Sequence, residues 1–153
     1  MKKLFTMLLA IPFIAMLAAC SDDKDLPSVN VSVDYSGATA VEDGIQIAQG
    51  QTLNIDAIKF TPVSGSKQVS VTNTTYLLDG VSFYSTGIAP FSGSIITDDI
   101  PVGVHTLSFM AEVYQVDKEP GMAIFGFKLI VTEPGSADEG SGTVTPDVRM
   151  GSH

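Results

Sequence analysis

Tyr76-Leu77-Leu78-Asp79-Gly80-Val81-Ser82-Phe83-Tyr84-Ser85 sets an Asp-Gly pair between two apolar runs. A two-residue type I′ turn needs positive φ at both central positions, and Asp-Gly meets that need at low cost. The stretch therefore predicts a β-hairpin, with Val81 to Ser85 folding back on Tyr76 to Leu78.

Working outward, the apolar residues recur with period two, the spacing of strands. Val29, Val31, Val33 and Tyr35 alternate with Asn30, Ser32, Asp34 and Ser36, a half-buried strand. A short strand at Ile45 to Ala48 ends at Gln49-Gly50, and Leu53 to Thr61 follows. There Leu53 and Ile55 share one parity while Ile58 and Phe60 take the other, a phase slip that predicts a bulge or a strand buried on both faces. Val69 and Val71 open the strand that runs into the hairpin. Phe91 to Thr97, His105 to Val116 and Met122 to Thr132 complete the set, with turns at Asp98 to Gly103 and Asp117 to Gly121. Seven or eight short strands without a helical stretch predict an all-β chain folded as an antiparallel β-sandwich.

The domain occupies residues 28–133, a length that suits one hydrophobic core and the roughly 100 residues of an immunoglobulin-type sandwich. Residues 134–153 are so poor in apolar side chains that they read as a disordered tail. Before the domain come an N-terminal signal (1–19) and a polar tether (20–27). Lys2 and Lys3 precede an apolar run from Leu4 to Ala19, which ends at Leu17-Ala18-Ala19-Cys20. Its sixteen residues fall short of the roughly 20 that span a bilayer.

Leu17 to Cys20 resembles a lipobox, the signal at which bacterial lipoproteins are cut and acylated on cysteine, so Cys20 is the expected lipidation site and the membrane the expected partner. The resemblance implies three acyl chains, palmitate among them, and a permanent anchor. Ser21-Asp22-Asp23-Lys24-Asp25 further resembles the export signal of Bacteroidetes surface lipoproteins, which implies the outer membrane with the domain exposed at the cell surface. Within the domain, Tyr76 to Gly80, then Ala89-Pro90-Phe91, then Pro101 to Leu107 resemble bacterial Ig-like domains. That likeness covers residues 76–107, implies an Ig-like sandwich, and implies that His105 enters a strand with its ring bonded to a nearby backbone carbonyl. An antibody-type core also needs a tryptophan and a disulfide. With no tryptophan and Cys20 as the only cysteine, neither is available.

Composition narrows the functions. The net charge of the 153 residues is −9; loss of residues 1–19 leaves six basic residues against seventeen acids, or −11. The basic residues are scattered, so no stripe is available to neutralise phosphates, and no nucleic-acid binding is expected. The acidity suits solubility and repulsion from an anionic surface. His105, the only histidine of the domain, lacks a nucleophile and orienting acid in any recognisable pattern, and no Gly-x-Ser-x-Gly elbow occurs, so no catalytic residue is assigned. Asp98-Asp99 and Asp117 with Glu119 are the acids available to calcium, but they match no calcium loop, and one histidine without a free cysteine builds no zinc site. No metal or cofactor is expected.

What remains is a binding or spacer module. The candidate contact residues are Phe83, Tyr84, Ala89 and Pro90, because adjacent Phe83 and Tyr84 should point to opposite faces and leave one ring outward. A protein or a glycan is the expected partner. The alternatives are an accessory glycan-binding lipoprotein of an outer-membrane uptake system and a surface-filament subunit joined by strand addition.

Overall fold

A computed structural model describes residues 25–135 and 140–152; Cys20 and Ser21 to Lys24 lie outside them. Among the described residues eleven strands build two sheets: β1 (Val29–Ser36), β2 (Thr39–Val41), β3 (Gly44–Ala48), β4 (Thr52–Pro62), β5 (Val69–Leu78), β6 (Val81–Thr86), β7 (Gly93–Ile96), β8 (Gly103–Gln115), β9 (Gly121–Thr132), β10 (Ser141–Val144) and β11 (Arg149–Ser152). One sheet has the order β10-β1-β4-β7, the other β2-β3-β9-β8-β5-β6, with β11 also paired to β9. The all-β sandwich expected from the alternation is therefore present, though with eleven strands in place of the seven or eight expected, because short edge pairings such as β2, β10 and β11 carry no apolar alternation of their own. Every pair is antiparallel except β3 with β9, which run parallel from Gly44↔Lys128 to Ala48↔Thr132.

The core lies between the sheets. Inward positions of β1 (Val33, Tyr35), β4 (Leu53, Ile55), β8 (Leu107, Phe109, Val113) and β9 (Leu129, Val131) are almost fully buried. In place of a tryptophan and disulfide, the centre holds aromatic rings. Phe109 stacks on Phe125 at 5.3 Å, Phe60 meets Phe125 edge-on at 5.8 Å, and Tyr76 meets Phe109 edge-on at 4.8 Å. Such pairs contribute about 0.5–1.5 kcal/mol each beyond the area they bury.

The phase slip in β4 is a bulge: Asp34 pairs with Ala57 and Tyr35 with Ile55, so Asp56 is passed over. The extra residue returns Leu53, Ile55 and Ile58 to one buried face. The Asp79-Gly80 turn is likewise as the chain implied. Leu78 pairs with Val81, and Asp79 and Gly80 have φ of 49° and 83°.

The tail departs from expectation. Composition makes residues 134–153 a disordered tail, yet β10 pairs with β1 and β11 with β9, four residues each. Low apolar content argues against burial, but these segments are held by backbone hydrogen bonds to two strand edges that would otherwise be open. Composition does not register that.

The sandwich has two distinct ends. The β8–β9 turn marks one, and there the tether enters: Glu119 N–H donates to Asp25 O at 3.0 Å, Lys118 pairs with Asp25 at 2.8 Å, and Ser28 N–H donates to Gln115 Oε1 at 3.1 Å. The Asp79-Gly80 turn marks the other, lying beside Thr106 at the opposite end of the thirteen-residue β8.

Candidate functional site

At the hairpin end, His105 is a clamp. Its Nδ1 lies 2.6 Å from Asp79 Oδ2 and its Nε2 lies 2.6 Å from the Pro101 carbonyl oxygen, the kind of backbone bond that the Ig-like resemblance implied. Asp79 also accepts from Thr106 N–H at 2.8 Å through Oδ1 and donates its own N–H to Thr106 O at 2.9 Å. Because Pro101 O is only an acceptor, Nε2 carries a proton; a second proton on Nδ1 completes the bond to the carboxylate. The bond to Asp79 and that to Pro101 both raise the His105 pKa above its ordinary value, and the His105 bond holds the Asp79 carboxyl below its own. One ring nitrogen thus fastens the hairpin turn to β8, and the other holds the segment that leads into β8.

Acidic residues do not converge. Asp98 and Asp99 precede β8 while Asp117 and Glu119 follow it, so about 40 Å of strand separates the two groups. Asp117 is paired with Lys67. Among the described residues no cluster of three or more histidine, cysteine or carboxylate side chains is arranged to hold a metal ion, and no helix is long and apolar enough to cross a membrane.

On the side of the sandwich away from β10, β6 and β7 end their sheets. Phe83 and Tyr84 both sit there, but not on opposite faces as their adjacency suggested. Tyr76 pairs with Tyr84 while Leu77 pairs with Ser82, which leaves Phe83 as the extra residue of a bulge. Strict alternation fails at a bulge, and both rings meet Tyr76 edge-on, Tyr84 at 5.1 Å and Phe83 at 6.1 Å. Both stay partly exposed, at 41% and 46%.

Tyr76 is the buried pivot. Its hydroxyl donates to Phe91 O at 2.5 Å, and burial pushes its pKa far up. Tyr84 lies across Gly93 of β7, where a Cβ would come within 2.9 Å of its ring, and donates to Ser92 O at 3.3 Å. Tyr84 therefore bridges the two sheet edges. Beyond it toward the hairpin end lies a groove of about 300 Å³, lined by Leu78, Phe83, Ser94, Ile95, Ile96 and Ile100. Ile96 is 63% exposed, a large apolar side chain on an edge strand.

Of the four contact residues named from the sequence, only Phe83 lines this groove. Ala89 and Pro90, joined by a cis peptide bond, form an exposed turn in which Phe91 N–H donates to Ile88 O at 2.8 Å, and Pro90 O accepts from Ile58 N–H. In the sequence Ile95, Ile96 and Ile100 are ordinary strand and turn residues, since the approach of two sheet edges across a gap leaves no local signal.

No protein-family model matches the chain, and no curated protein matches it. The chain is similar to a solved structure of the fibronectin(III)-like modules of Clostridium thermocellum CbhA, at 20% identity over 65% of this chain and 99% of that one, with a TM-score of 0.42.

Proposed function

We propose that the chain is a non-enzymatic Ig-like binding module, anchored to the outer membrane by lipid on Cys20 and exposed at the cell surface through Ser21 to Asp25, that presents the β6–β7 groove to a protein partner. The observation that carries this reading is the opposition of the two ends. The tether docks through Asp25 at the β8–β9 turn, whereas the groove opens near the hairpin turn. Residues 21–25 reach at most about 18 Å when extended, so an anchored Cys20 keeps the β8–β9 end at the membrane and the groove away from it. The lining favours protein over glycan: four aliphatic side chains and one phenylalanine surround a single serine, whereas sugars need several polar groups beside a stacking ring.

The test is binding by the mature chain to arrayed surface proteins and glycans, repeated with Phe83→Ala and Ile96→Ser. Loss of a protein signal in both variants supports the reading. A glycan signal lost in the same variants transfers the groove to carbohydrate recognition. Turnover of any substrate that depends on His105 overturns the non-enzyme reading.

A further inference from the structure

The C-terminal segment closes the side of the sandwich opposite the groove. After β9 the chain passes to the edge of β1 as β10, crosses the gap between the sheets at Thr145-Pro146-Asp147, and returns to β9 as β11. Its hold is shallow. The buried core cluster runs from Val29 to Val131 and takes no residue from this segment; Val144, Val148 and Met150 pack against it only partly buried. The crossing spans space instead of filling it, for hollows of about 380 and 390 Å³ flank it and Thr145 to Asp147 line both.

From this geometry we infer that residues 141–152 are an exchangeable strand pair, and that a second copy of this chain supplies them in trans to the same β1 and β9 edges. The core cluster draws no residue from the segment, so release costs eight residues of edge pairing, three half-buried side chains and the cover that the segment gives to Tyr35 and Phe127. Release also exposes two adjacent strand edges with no proline in β1 or β9 to block pairing. Only one sequence is already matched to those edges in register and in side chain: Thr143 Oγ donates to Asp34 Oδ1 at 2.7 Å, and Gly142 lies where a Cβ would meet the Tyr35 hydroxyl at 2.8 Å. Another copy carries that sequence. Residues 133–140 span at most about 29 Å when extended, enough to reach a neighbouring molecule. Reciprocal exchange closes a two-fold dimer and one-way exchange builds an open chain. The inference stands apart from the groove and from the anchor.

Asp34 and Thr143 face each other in the β1–β10 register, which makes exchange readable by a disulfide. In full-length chain carrying Cys20→Ser, the double variant Asp34→Cys with Thr143→Cys should form an intrachain disulfide, which establishes that the pair can bond. The two single variants, incubated together under a thiol redox buffer, should give disulfide-linked dimer at least tenfold above the homodimer that either variant forms alone, with a 34–143 linkage in the peptide map. If the double variant bonds within the chain and the mixture yields no 34–143 link, the segment does not exchange and the inference is overturned. If the double variant fails to bond internally yet the mixture links, the trans arrangement is the resident one and the inference holds in its strongest form. If neither bonds, β10 does not lie on β1 in either arrangement, and the inference falls.

Discussion

At the scale of single residues, the Asp79-Gly80 turn joins a local preference to a distant partner. Gly80 has φ of 83°, and a Cβ placed there would meet nothing within 4 Å. A larger residue is thus penalised by backbone conformation alone. Gly80→Val should lower stability by about 1 kcal/mol or more, measured by urea or thermal melts, because a β-branched residue resists positive φ. The His105–Asp79 clamp predicts a pH profile. His105 gains proton affinity on folding, so its contribution is complete below its ordinary pKa of 6.5 and fades as pH rises through the elevated value. Asp79 loses proton affinity, so its contribution is present above 3.8 and fades as pH falls below that. The stability difference between wild type and His105→Gln should be largest near pH 5–6 and shrink by pH 8–9. A pH-independent difference in paired melts contradicts a charged clamp. The turn was legible in the chain because Asp-Gly carries its own conformational signal, and the Ig-like resemblance placed His105 at a strand entrance. The choice of Asp79 as its partner was not legible, since twenty-six residues separate the two and only the β5–β8 pairing brings them together.

At the scale of elements, the groove depends on how β6 and β7 approach one another. Gly93 permits that approach: a Cβ there would lie 2.9 Å from Tyr84 Cε1 and 3.0 Å from Tyr76 Cε2. Tyr76 is fixed by burial and by its bond to Phe91 O, so Tyr84 must yield. Gly93→Ala should cost about 1–3 kcal/mol, the usual range for overpacking, and Tyr84→Ala in that background should recover part of it, as a double-mutant cycle on urea midpoints will show. The bulge in β4 was readable because it shifts the parity of large apolar residues. The bulge in β6 was not, because Phe83 and Tyr84 are both aromatic and the sequence shows no slip between them.

At the scale of the molecule, both described ends of the chain gather at one pole: Pro27 and Met150 each crowd Gly121, whose missing side chain makes room for them. If Cys20 carries the whole attachment, Cys20→Ala should release soluble protein or leave uncleaved precursor, read by palmitate labelling and fractionation. An unlabelled, soluble wild type contradicts the anchor. The sequence by itself determined the strand periodicity, the hairpin turn, the β4 slip and the lack of a tryptophan or disulfide core. Each of these is written in the spacing of neighbouring residues or in simple composition. Only the tertiary structure decided that β3 lies parallel to β9, that Phe83 and Tyr84 share one side, and that an apolar-poor tail becomes two strands. Backbone hydrogen bonding explains the difference: a strand edge offers its donors and acceptors to an extended segment whatever that segment's apolar content, so the outcome depends on which edges the rest of the fold leaves vacant, a property no local stretch of sequence contains.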